Sequence, residues 1–183
     1  MHWKLVQARS GRARPARVLA ALASVAMAVC AHGAQPHVHG VATLEVAVEG
    51  DRLTLEFASP LDNIVGFERA PRTDKEKAAA RQALDRLGKP EELFVPSATA
   101  RCTRGGVKIE APVLDAAAKA QKGEHASLTA VIEFSCERPE GLSGMRVNVF
   151  DAFPRLERVD AQVASAKGQR ARKLTKSDRT LSW

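Results

Sequence analysis

Two histidines one residue apart, His37-Val38-His39, stand at the head of an alternating apolar segment, with Gly40 directly after them. In an extended chain the side chains of residues i and i+2 share a face, so these imidazoles can converge on one ion. Neutral imidazole suits zinc and copper alike, and protonation near pH 6 competes with either. Two imidazoles alone make a weak site, because tight zinc binding takes three or four ligands. His125 is the candidate third ligand and its neighbour Glu124 a candidate oxygen donor, both at the start of a later strand-like segment. The plainer reading of the pair is an exposed tether ahead of the first strand. A copper or nickel chelate at a new N-terminus is excluded if export cleaves after Ala34, because Pro36 has no amide hydrogen to lose.

Catalytic chemistry has less to work with. The chain has no nucleophile elbow, phosphate-cradling glycine loop or HExxH helix. Asp62 reads as part of an Asx-turn and Asp151 as a cap ahead of a short turn, so neither is taken as an acid or base. The chain is therefore expected not to be an enzyme.

The beginning of the chain carries an address. Lys4, Arg9, Arg12, Arg14 and Arg17 occur there without an acidic residue, and the apolar run from Val18 to Ala31 is short for a bilayer span. Together they read as a secretory signal peptide over residues 1–34, which implies export to the periplasm and no transmembrane segment in the mature chain. Cys30 lies within that apolar run and is expected to leave with it. Cys102 and Cys136 then meet an oxidising compartment as a single pair, for which a disulfide is the default.

The whole chain has 28 Lys+Arg against 21 Asp+Glu, a formal net charge of +7. Once the leader's cations are set aside the balance is close to neutral, which argues against a nucleic-acid footprint. Lys167, Arg170, Arg172, Lys173, Lys176 and Arg179 crowd the end of the sequence. They read as a solvated terminus or as a weak contact with an anionic envelope surface.

The elements that must position these residues follow from periodicity. Ala42, Leu44, Val46 and Val48 alternate with polar residues, Glu49-Gly50-Asp51 turns the chain, and Leu53, Leu55 and Phe57 resume the pattern as a β-hairpin. From Thr73 to Leu87 the spacing predicts a helix, with Thr73 and Glu76 as a capping box and Gly88 and Pro90 as the stop. Gly105-Gly106 reads as a turn before a strand through Val107, Ile109 and Ala111. Residues 116–124 read as a solvated excursion or a short helix rather than core. The longest alternation, Ala126 to Phe134, is expected to be the central strand, with further strands through Met145–Val149, Leu156–Val163 and Ala171–Leu174. The sum is an α+β fold: six or seven mainly antiparallel strands with one clear helix packed on them. Residues 35–166 form a single domain and 167–183 a basic C-terminal segment, with a final short strand as an option.

Three stretches then carry a resemblance: His37-Val38-His39-Gly40, SPLDNIVGFERAPRT from Ser59 to Thr73, and VFDAFPRLERV from Val149 to Val159. With cysteines placed as here, the chain resembles an uncharacterised-domain family of bacterial periplasmic proteins that includes a zinc-regulated, zinc-binding protein associated with zinc uptake. The resemblance covers essentially all of the mature chain. It implies a non-enzymatic protein that binds zinc and buffers it or hands it to an importer in the envelope. His37 and His39 match the opening histidine pair, and Cys102 with Cys136 the bridge.

Three departures from the family pattern reduce the expected capacity. The histidine- and aspartate-rich loop is largely missing from Asp115–His125, Arg69 replaces a histidine after Gly-Phe-Glu, and Thr129 replaces another in the long strand. A single site built on His37 and His39 is what remains. The competing expectation is a metal-independent interaction protein that uses the same scaffold in the envelope.

Overall fold

The computed structural model describes residues 38–114 and 126–183. The expected signal peptide, Cys30, His37, Glu124, His125 and the 116–124 excursion lie outside the described residues. Two strands, β1 (Val41–Glu49) and β2 (Arg52–Pro60), form the expected hairpin, with Leu44 opposite Phe57 and Val46 opposite Leu55. Their inward side chains, among them Leu44, Leu53, Leu55 and Phe57, are fully buried.

A single-turn helix, α1 (Leu61–Val65), follows directly and ends at Gly66 in the left-handed conformation, φ +87°. The predicted long helix is α2 (Asp74–Leu87), whose capping box is complete: Thr73 Oγ1 accepts from the Glu76 amide, and the Glu76 carboxylate accepts from the Thr73 amide. Ala80, Ala83 and Leu87 form its buried stripe. A short helix, α3 (Pro90–Leu93), leads into β3 (Phe94–Pro96).

Strand β4 (Cys102–Glu110) runs antiparallel to β5 (Ser127–Cys136). Gly105-Gly106 does not turn the chain as expected. The pairing register shifts between Arg104 and Val107, so the two glycines form a β-bulge inside one strand. A Cβ on Gly105 would stand 3.2 Å from the Glu133 carbonyl oxygen of the neighbouring strand, so the bulge brings the two backbones close. Cys102 faces Cys136 across this ladder and the two form a disulfide.

After β5 come β6 (Gly144–Val147), the short helix α4 (Val149–Ala152), β7 (Arg158–Ser165), β8 (Gly168–Thr175) and β9 (Thr180–Ser182). Six strands form the main sheet in the order β4-β5-β2-β1-β7-β8, and β3-β6-β9 form a second, three-stranded sheet. Every pairing is antiparallel except β1 with β7. The fold is α+β with one long helix, as expected.

Three particulars differ. β1 and β2 occupy the middle of the main sheet, so the long strand β5 sits one place in from the edge. Val149 opens α4 rather than continuing the strand of Met145 and Val147: the Asn148 amide still donates to the Leu93 carbonyl, and the amides of Asp151 and Phe153 then turn back to the Asn148 and Val149 carbonyls. The strands of the small sheet are three or four residues long, too short for alternation to register in the sequence.

The core lies between the inner face of the main sheet and a covering layer that includes Leu61, Leu87, Phe94, Val147, Phe150, Phe153 and Leu181, all in one continuous cluster. Phe57 of the main sheet and Phe94 of the small one meet with ring centroids 5.7 Å apart, tilted by 60°. The opposite face of the main sheet is polar, with Glu45, Glu56 and Glu133 exposed on it.

Candidate functional site

The N-terminal corner is built by a turn. The Val41 amide donates to the Val38 carbonyl at 3.1 Å, with His39 and Gly40 between them. Gly40 has φ +80° and His39 a negative φ, the pattern of a type II turn, whose third position favours glycine. His39 therefore sits on a turn ahead of β1 and not on the strand itself. The sharing of a face expected from strand alternation does not apply to it.

Asn63, from the single turn of α1, holds this corner. Its Oδ1 accepts the Gly40 amide at 2.7 Å, while its Nδ2 donates to the Val41 carbonyl at 3.0 Å and to Ser59 Oγ at 3.1 Å. Ser59 Oγ in turn donates to the Pro60 carbonyl. Asn63 and Ser59 are the two buried polar side chains among the described residues, 1% and 2% exposed, and their groups are satisfied mutually. On the other side, the Gly40 carbonyl accepts from the amides of Glu157 and Arg158 at 2.8 and 3.0 Å. The Glu157 side chain lies against Gly40, where a Cβ would meet its carbons at 3.2 Å.

The same framework presents two carboxylates to His39. Asp62 Oδ2 is 3.7 Å from Nδ1 and Glu68 Oε1 is 3.5 Å from Nε2. The imidazole is 66% exposed, Asp62 25% and Glu68 41%. Asp62 lies in the first turn of α1 and forms no Asx-turn, so its carboxylate is free to face the imidazole. Glu68 comes back to the same ring because Gly66 reverses the chain in the left-handed conformation. A Cβ on Gly66 would approach Arg155 Nη2 to 2.9 Å, a contact that the end of this flexible side chain can relieve, so the positive φ is what calls for glycine here.

The cation at position 69 is turned elsewhere. Arg69 donates twice to the Glu76 carboxylate, at 2.7 and 3.0 Å, and lies over the Phe67 ring. This contact, with amide donation from Arg72 and Thr73, holds the Glu76 carboxyl down at about 2. Asp151 does not cap a turn. It lies inside α4 and pairs with Arg179, which holds its carboxyl below the ordinary range.

Of the residues expected to bind metal, His39 is the one within the described residues; His37, Glu124 and His125 fall outside them. Cys102 and Cys136 are joined, as expected. Among the described residues no group of three or more His, Cys, Asp or Glu is arranged to hold a metal ion. Asp62, Glu68, Asn63 and Glu157 were not singled out as site residues from the sequence. The signal for the first three lay in the SPLDNIVGFE run itself, where a polar Asp-Asn pair interrupts an otherwise apolar turn.

The fold around this exposed corner is α+β, with two sheets, one long helix and a disulfide. Residues 36–183 match the ZrgA family, whose members are described as zinc uptake proteins. The chain belongs to that family. Its function is thus an accessory one in zinc uptake. Among curated proteins the chain has no match that would indicate kinship. No helix among the described residues is long and apolar enough to cross a membrane.

Proposed function

We propose that the protein is a periplasmic zinc carrier of low capacity, binding the ion at the N-terminal corner through His39 and delivering it to an importer component in the envelope. The observation that carries this is the placement of His39: an exposed imidazole on a turn pinned by Asn63, with a carboxylate near each ring nitrogen. Exposure suits a site that must load from solvent and unload to a partner, since a buried tetrahedral site with four protein ligands releases zinc slowly.

His37 is the proposed second imidazole, with His125 and Glu124 as further donors. Arg69, tied to Glu76, adds little repulsion at the corner. The signal peptide over residues 1–34 supplies the route to the periplasm.

Metal content and stoichiometry of the protein purified from its own compartment test the proposal. About one zinc per chain, lost in the His37→Ala/His39→Ala double variant, is expected. Metal-free protein that also fails to take up added zinc refutes it and favours a metal-independent interaction protein in the envelope.

A further inference from the structure

The main sheet ends in two edges of different kinds. On one side the β4 ladder is interrupted by the bulge at Gly105-Gly106, so its free edge is broken. On the other side β8 runs for eight residues in unbroken register with β7, from Ser165 opposite Gly168 to Arg158 opposite Thr175, and its residues from Gly168 to Lys173 are all exposed. The edges of the small sheet, β3 and β9, are three residues long. Among the described residues β8 is therefore the one long, regular sheet edge.

The direction of its backbone groups follows from its last residue. The Thr175 amide points away from β7 and donates to the Asp178 carbonyl at 2.9 Å, while the Thr175 carbonyl accepts the Asp178 amide at 3.2 Å. Backbone groups of successive strand residues alternate in direction, so those of Lys173, Ala171 and Gln169 point outward with Thr175, and those of Arg172 and Arg170 face β7. The Arg158 amide gives the same phase: it donates to Gly40 on the β1 side, which leaves Val159, Ala161 and Val163 to face Leu174, Arg172 and Arg170. The outward groups of Gln169, Ala171 and Lys173 have no backbone partner among the described residues.

The side chains add a sign to this edge. Lys167, Arg170 and Lys173 make no ion pair among the described residues, unlike Arg172, which Asp178 holds. Two copies joined edge to edge about Ala171 would set each Arg170 opposite an Arg172, and like charges directly opposite repel. Cations placed in this way keep identical edges apart and favour an occupant of the other sign. We propose that β8 accepts an extended acidic segment of a partner protein as an added strand. The outward amides and carbonyls of Gln169, Ala171 and Lys173 pair with the backbone of that segment, while Arg170 and Lys173 attract its carboxylates. Arg170 and Lys173 are three residues apart and point to opposite faces of the sheet, so the matching segment carries two carboxylates three residues apart, one for each face. Strand addition at β8 is independent of the zinc-binding reading of His39.

NMR titration of the whole protein tests this with two peptides of one composition. In Ser-Thr-Glu-Val-Thr-Glu-Val-Thr-Ser the carboxylates lie three residues apart; in Ser-Thr-Val-Glu-Thr-Glu-Val-Thr-Ser they share a face. At low salt the first binds about two- to fivefold more tightly, the worth of one exposed ion pair. At saturation it slows hydrogen exchange at the amides of Gln169, Ala171 and Lys173 and leaves those of Arg170 and Arg172, already bonded to β7, as they were. Ala171→Pro removes one outward amide without touching the β7 ladder, a position where an edge strand tolerates proline, and weakens the first peptide roughly tenfold. Arg170→Gln/Lys173→Gln also weakens it, by about tenfold. Circular dichroism verifies that both variants are folded.

If the first peptide does not bind, the proposal fails outright. Equal affinity for the two peptides, uniform exchange along β8, or full affinity in Ala171→Pro reduces the contact to charge alone and overturns strand addition. A dimer in sedimentation velocity that Ala171→Pro dissociates assigns the edge to a second copy instead. Anionic vesicles that displace the first peptide and bind Ala171→Pro as well as the unaltered protein assign it to a membrane surface, and either result overturns the proposal.

Discussion

The Asn63 Oδ1 accepts the Gly40 amide at 2.7 Å, and this contact fastens the turn that carries His39 to the helix that carries Asp62. The two residues are 23 positions apart. Because Asn63 also donates to the Val41 carbonyl and to Ser59 Oγ, one buried amide fixes both the backbone of the corner and the start of β1.

Replacing Asn63 by the similarly sized Leu leaves the Gly40 amide, the Val41 carbonyl and Ser59 Oγ without their partner. Unpaired buried groups cost about 1–3 kcal/mol each, so a loss of roughly 3 kcal/mol in chemical denaturation is expected. On the proposed function zinc affinity falls as well, although no donor atom has been touched. An Asn63→Leu variant with unchanged stability would show that the corner holds itself together without this residue.

The Cys102–Cys136 disulfide joins residues 34 positions apart. In the chain-entropy account a loop of that length contributes about 4 kcal/mol. The double Ser variant should therefore melt roughly 10 °C lower, and the unaltered protein with reductant should follow it. A melting temperature independent of reductant would mean that the β4–β5 ladder is held by its backbone pairing alone.

Glu76 ties the segment after the candidate site to α2. Its carboxyl, normally near 4.5, is held at about 2 by Arg69 and by the amides of Arg72 and Thr73. A carboxyl with a depressed value in the folded state contributes stability above its unfolded value, and that contribution disappears as pH falls through the folded one. Melting temperature should thus fall more steeply between pH 4.5 and 2 in the unaltered protein than in Glu76→Gln, with the two curves converging at the acid end.

The cap can be tested without charge. Thr73→Ala removes the hydroxyl that accepts the Glu76 amide and should cost about 1 kcal/mol, or about 3 °C in melting temperature.

The basic residues at the end of the chain divide into two groups. Arg172 pairs with Asp178, Arg179 with Asp151, and Lys176 donates to the Pro154 carbonyl, whereas Lys167, Arg170 and Lys173 make no ion pair among the described residues. Three free cations supply about 3 kcal/mol of attraction to an anionic surface, which is marginal. Co-sedimentation with anionic vesicles should be partial at low salt and vanish near 0.5 M, where screening is within about 5 Å. The Lys167→Gln/Arg170→Gln/Lys173→Gln variant should not sediment, while strong sedimentation by that variant would place the contact elsewhere.

What the sequence by itself determined is local. Alternation set the β1–β2 hairpin, β5 and β7 because one face of each strand is buried and the period of two is short enough to read. The α2 helix was legible through Thr73, Glu76 and its apolar stripe. The cysteine pair was legible because two thiols expected to reach an oxidising compartment together have one way to pair. Tertiary structure decided the rest. The parallel contact of β1 with β7, the second sheet made of strands only three or four residues long, and the β-bulge at Gly105-Gly106 depend on partners far along the chain. So does the candidate site. Nothing near His39 in the sequence announces Asp62 or Glu68, and a histidine expected on a strand face stands on a turn because Asn63 and the Glu157–Arg158 amides capture both sides of Gly40. Local patterns record which residues are buried, but which donors meet is a matter of long-range packing.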